Sequence, residues 1–120
     1  MYNLNLKGVS FESITFTPTV ITSPSNPPKY AGELCKGVFI NVTDKNLFEP
    51  VKTGIALLVT LNKLFPGFEI KKNNFIDKLA GTTALRTMIV SGNSYEEITD
   101  SYKDNLKIFS LKRENYILYK

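Results

Sequence analysis

The sequence contains no histidine and a single cysteine, Cys35. The commonest metal ligand and the usual general base of nucleophilic triads are therefore missing, and catalysis confined to this chain has only carboxylates, Lys, Tyr, Ser/Thr and one thiol to run on. One cysteine excludes an internal disulfide, and no metal site is expected. The longest apolar-rich stretch, Gly54–Leu64, is interrupted by Thr60, Asn62 and Lys63. It falls short of the roughly 20 residues a membrane helix needs. No basic segment followed by an apolar run of roughly 7–15 residues opens the chain, so no signal peptide is expected.

Charge of one sign is thin as well. Lys and Arg number 15 against 11 Asp and Glu, a net charge of +4, and the densest basic run is Lys71-Lys72. A nucleic-acid module concentrates its charge on one face and interleaves aromatics with it, which this scatter does not do. Neither a nucleic-acid partner nor a membrane partner is expected.

What is present fits one folded domain, residues 1–120, because 120 residues with 42% hydrophobic and 22% charged side chains match an ordinary soluble domain. Gly8–Val20 alternates as a strand, with a bulge or bend expected at Glu12-Ser13 and Pro18 closing it. Thr22–Lys29, with three prolines, is an exposed loop that either connects passively or rims a cleft. Gly37–Val42 is a second strand with Val38, Ile40 and Val42 on one face and Phe39 on the other. Pro50 opens a helix running to Leu64, where Phe65-Pro66-Gly67 ends it, and its wide apolar stripe suits burial against a sheet.

Farther on, Phe68–Lys71 is short and extended, and Asn74–Ala80 is a short helix ended by Gly81. Thr82 caps a helix over Thr83–Ser91 that stops at Gly92, and Ser94 to Glu97 supply a capping box for a helix running through Ser110. Tyr116-Ile117-Leu118-Tyr119 has the composition of a terminal strand. The expected class is α+β: a small, mainly antiparallel sheet with three to four helices packed against it.

Lys29–Asp44 concentrates the chemistry. Gly32-Glu33-Leu34-Cys35-Lys36-Gly37 has the four-residue gap of a phosphate loop, but Val38-Phe39 stands where Lys-Ser/Thr is required, and a strand follows where a helix should. No nucleotide or other cofactor is expected. Cys35 lacks a histidine base and reads as a structural thiol. Glu33, Asp44 and Glu49 are carboxylates of the kind glycosidic cleavage needs in pairs, or else loop and helix-start acids; their separation is not readable. Tyr30 either stacks on a sugar face or caps a core.

Taken together, Leu4-Asn5-Leu6-Lys7-Gly8-Val9-Ser10-Phe11, Phe16-Thr17-Pro18 and Tyr30-Ala31-Gly32-Glu33-Leu34-Cys35-Lys36-Gly37-Val38 resemble the C-terminal domain of the NamZ exo-β-N-acetylmuramidases. Val42-Thr43-Asp44, Phe48-Glu49-Pro50-Val51, Asp77-Lys78-Leu79-Ala80-Gly81, Leu85-Arg86 and Tyr116-Ile117-Leu118-Tyr119 follow in the same order as in that family. The resemblance implies a bacterial, cell-envelope setting and a two-domain glycosidase that releases N-acetylmuramic acid from peptidoglycan fragments. It also implies that the catalytic carboxylate lies on a Rossmann-like N-terminal domain of the same polypeptide, absent from these residues. No catalytic residue is assigned here, and the isolated chain is expected to be inactive. By the same resemblance Tyr30, Glu33 and Lys36 are the substrate-binding candidates, facing a peptidoglycan-derived muramyl sugar across a cleft. The alternative is a non-catalytic module that binds peptidoglycan or another protein.

Overall fold

The computed structural model describes residues 4–20, 27–70 and 75–118. They gather into two compact units, one within Asn5–Glu49 and one within Pro50–Lys120. Elements follow in the order strand, strand and then five helices, which places the chain in the α+β class with a small antiparallel sheet.

In the first unit, β1 (Val9–Phe16) pairs antiparallel with β2 (Cys35–Val42), Val9 opposite Val42 and Phe16 opposite Cys35. Both strands are rich in β-branched and aromatic residues, which fit a pleated surface. The expected bulge at Glu12-Ser13 is absent: the register runs one to one through Glu12 opposite Phe39 and Ser13 opposite Val38. The break in alternation has a different consequence. With a period of two kept throughout, Val9 and Phe11 share a face with Val38, Ile40 and Val42, while Ile14 and Phe16 share the other with Phe39. Val9 is the only buried hydrophobic of the two strands.

Turns hold this unit where side chains do not. Gly8 sits at φ +73°, and a Cβ there would stand 2.5 Å from the Asp44 carbonyl oxygen and 2.6 Å from the Phe48 nitrogen. Only glycine tolerates both the left-handed backbone and the close passage. The Gly8 carbonyl accepts from the Thr43 and Asp44 amides at 3.0 and 3.3 Å, so the start of β1 is locked to the end of β2. Pro27–Lys29 is irregular as expected; the rest of the proline-rich loop lies outside the described residues save Val20 before it.

In the second unit, α1 (Pro50–Leu64) has the expected bounds. Pro50 costs nothing at a first turn whose amides lack partners anyway. Its stripe buries Ile55 against Ile89 and Ile98, with Leu58, Val59, Leu85, Met88, Tyr95 and Tyr102 around them. The face read as suited to a sheet thus serves a helix–helix core with α3 (Ala84–Val90) and α4 (Tyr95–Asp100). Each isoleucine buried this fully contributes roughly 1.5–3 kcal/mol. The Asn62 amide donates to the Ile89 carbonyl at 3.1 Å and pins α1 to α3.

The short α2 (Phe75–Ala80) is tied to α3 by a forked ion pair. Arg86 Nε lies 3.1 and 3.0 Å from the two Asp77 oxygens, and Nη2 lies 2.9 Å from Oδ2. The planar guanidinium matches a carboxylate in this way, and lysine would not. Asp77 and Arg86 belong to two of the sequence landmarks above. Gly81 ends α2 at φ +70°; Thr82 Oγ1 accepts from the Ala84 amide at 3.1 Å, while Thr83 occupies the cap position. At the end of α3 the Gly92 and Asn93 amides donate to Ile89 and Met88, with Gly92 at φ +82°. That is the Schellman pattern, which requires a left-handed residue where Gly92 stands.

The capping box forms as expected: the Glu97 amide donates to Ser94 Oγ at 3.2 Å and the Ser94 amide to Glu97 Oε2 at 2.8 Å. The helix it starts does not run unbroken to Ser110. It stops at Asp100, and α5 (Lys103–Glu114) begins after Tyr102 at φ −113°, ψ 0°, so the one helix expected here is two. Ser101 Oγ donates to the Ile98 carbonyl at 2.6 Å, the local competition by which serine loosens a helix. The expected terminal strand is not formed over Tyr116–Leu118, where the Tyr116 amide closes a turn onto Arg113. Tyr119 lies outside the described residues.

Candidate functional site

The loop leading into β2 is built from two overlapping turns. The Ala31 amide donates to the Pro28 carbonyl at 3.2 Å and the Glu33 amide to the Tyr30 carbonyl at 3.0 Å. The Gly32 amide donates to the Pro18 carbonyl at 2.9 Å, fastening the loop to the segment that leaves β1. Tyr30 adopts φ +61°, and among the described residues it is the only non-glycine with positive φ. A side chain held in the left-handed region costs roughly 1–2 kcal/mol, and such strain concentrates where a backbone must present a group for function.

Tyr30 is about half exposed, at 53%. The Lys29 ammonium stands 4.8 Å above its ring centroid, within the range of a cation–π contact. Sequence reading passed over Lys29, although its adjacency to Tyr30 was the available signal. Glu33 is exposed on the same turn as Tyr30, so the structure brings these two candidates together. Lys36 is placed differently. It is exposed on β2 opposite Thr15 and shares its sheet face with Val38 and Ile40.

Asp44 and Cys35 have structural tasks. Asp44 Oδ1 accepts from the Asn46 amide at 2.8 Å and its carbonyl accepts from Phe48, so this carboxylate shapes the turn after β2. Cys35 is half-buried with Sγ 3.6 Å from the Glu33 carbonyl. The Gly32–Gly37 segment feeds a strand, as expected, and not a helix N-terminus. Gly37 lies under the Phe16 ring, where a Cβ would come within 2.9 Å of Cε1.

In the helical unit, the hydrogen bond to Asp77 raises the Arg86 pKa. The Tyr95 hydroxyl, hydrogen-bonded to Glu96, is raised, and the same bond holds the Glu96 carboxyl below its usual value. Among the described residues there is no cluster of three or more His, Cys, Asp or Glu that could hold a metal ion, and no helix long and apolar enough to cross a membrane. The loop offers an amphipathic ring, a carboxylate and the Lys29 ammonium, a set suited to stacking on and hydrogen-bonding a polar ligand.

The family described as "Exo-beta-N-acetylmuramidase NamZ, C-terminal" matches residues 1–119. "Peptidoglycan beta-N-acetylmuramidase NamZ" of Bacillus subtilis (strain 168) is 42% identical over 118 residues, which is 98% of this chain and 27% of the relative. The chain thus spans about a quarter of the length of the curated relative it matches. No solved structure matches it.

Proposed function

The chain belongs to the C-terminal family of the NamZ exo-β-N-acetylmuramidases, and from that premise we propose that it is the accessory domain of a peptidoglycan-recycling glycosidase, forming one wall of the substrate cleft through the loop of Tyr30 and Glu33 together with Lys36 on β2. Hydrolysis of a glycosidic bond needs one carboxyl group to protonate the leaving oxygen and a second group to stabilise or attack the sugar carbon. In this reading those groups sit on the N-terminal part of the polypeptide, and the chain alone is inactive. The Tyr30 ring stacks on the muramyl sugar, Glu33 accepts from its hydroxyl groups, and Lys36 faces its carboxylate.

The observation that supports the reading is the strained, exposed Tyr30 on a doubly tied turn. A tyrosine serving only to cap a core would be expected buried and unstrained. The test uses the polypeptide that carries both parts, assayed on a chromogenic N-acetylmuramide. Tyr30→Ala and Glu33→Ala are expected to lower kcat/KM with little change in Tm; unchanged kinetics with a large fall in Tm would make both residues structural. Residues 1–120 alone are expected to show no turnover, and turnover near that of the two-part enzyme would defeat the division of labour. Retention of 1–120 alone on insoluble peptidoglycan, with the Tyr30 and Glu33 variants fully active in the longer polypeptide, would favour a non-catalytic binding module.

A further inference from the structure

A two-stranded sheet is marginal by itself in water and needs a covering layer. The two faces of β1 and β2 differ in what they offer to one. The Phe39 face is interleaved with Ser10, Glu12 and Asn41, and its glycine is already roofed by the Phe16 ring. The opposite face carries Val38, Ile40 and Val42 in unbroken succession on β2, across from Val9, Phe11 and Ser13. Cover on this face exists only at one end: exposure climbs from 9% at Val9 through 41% at Val42 and 44% at Ile40 to 59% at Val38. A flat aliphatic strip with no charged group before Lys36 is a surface shaped for apolar contact.

We propose that the Val38–Ile40–Val42 strip is the seat on which the N-terminal part of the same polypeptide docks, and that this docking holds the Tyr30 loop at the sugar cleft. The inference rests on the two-part reading above and adds the surface that joins the parts. The matched relative extends well beyond the aligned region, since 118 residues make up only 27% of it. In a family defined as C-terminal, that extra length precedes β1. A tethered segment meets the strip at an effective concentration on the order of millimolar. A second copy of the chain has no such advantage. Continuity along the chain supplies the functional link: β2 begins at Cys35, two residues after Glu33, so fixing the strip fixes the root of the loop.

The single cysteine makes the strip open to footprinting. In a Cys35→Ser background, Val38→Cys is introduced into residues 1–120 and into the two-part polypeptide, with Ile40→Cys as a second probe and Lys45→Cys, in the exposed turn after β2, as the reference. Reaction with a small maleimide is followed by mass. At Val38→Cys or Ile40→Cys the rate is expected to fall at least tenfold in the two-part polypeptide relative to 1–120, while Lys45→Cys reacts equally in both. Equal rates at both probe positions would overturn the proposal. Protection already present in 1–120 would also overturn it, with dependence on concentration pointing to a second copy and independence to cover from within the chain. Labelling requires no turnover, so the docking proposal can stand where the assignment of Tyr30 to the sugar falls, and the reverse.

Discussion

The two units of this molecule are stabilised by opposite means. The helical unit buries Ile55, Ile89 and Ile98 in a small core and finishes its helices with a capping box and two left-handed glycines. The β unit buries Val9 alone among its strand hydrophobics and relies on a close glycine passage, turn hydrogen bonds and a one-to-one ladder. The difference separates tasks. Stability is concentrated where side chains are hidden, and the exposed, strained Tyr30 sits in the unit that hides fewest.

The comparison can be broken most forcefully in the core. Ile98→Ala removes a side chain that is 2% exposed and is expected to cost about 2–5 kcal/mol in chemical denaturation; a loss of under about 0.5 kcal/mol would mean that the helical unit is not where stability resides. Gly8→Ala forces a side chain against the Asp44 carbonyl at positive φ. It should cost at least the roughly 1–2 kcal/mol of left-handed strain, with amide exchange quickening first in β1 and β2. Ser94→Ala removes the cap of α4 and is expected to cost about 1 kcal/mol, read as a lowered Tm. The smallest effect carries the opposite sign. Tyr30→Gly relieves the strained backbone and should raise stability by up to about 1 kcal/mol while lowering kcat/KM in the two-part polypeptide. A fall in stability there would return Tyr30 to a structural role.

Local signals were the readable ones. Pro50 and Phe65-Pro66-Gly67 bound α1 to the residue, and Ser94 with Glu97 and Gly81 with Gly92 marked helix ends that the structure shows, because caps and left-handed stops act within one turn. The misreadings came where a partner decides the outcome. Tyr116–Leu118 has strand composition but, in the described residues, no strand beside it. The switch of alternation at Glu12-Ser13 looked like a bulge, and pairing with β2 made it an exchange of faces. The helix expected through Ser110 divides at Ser101, where the hydroxyl bonds back to Ile98. In the loop before β2, Glu33 and Tyr30 were legible as neighbours, and the adjacency of Lys29 to Tyr30 was there to read although its place over the ring was not.

By itself the sequence determined the family, the α+β class, the bounds of α1, the capping box of α4 and the glycine stops after α2 and α3, all of which depend on residue identity and short spacing. Only the tertiary structure decided the register of β1 on β2, the Arg86–Asp77 fork, the helical surroundings of α1 and the left-handed backbone of Tyr30. Those depend on which distant groups meet, and a hydrogen-bond partner or packing neighbour far along the chain leaves no local mark at the residue it constrains.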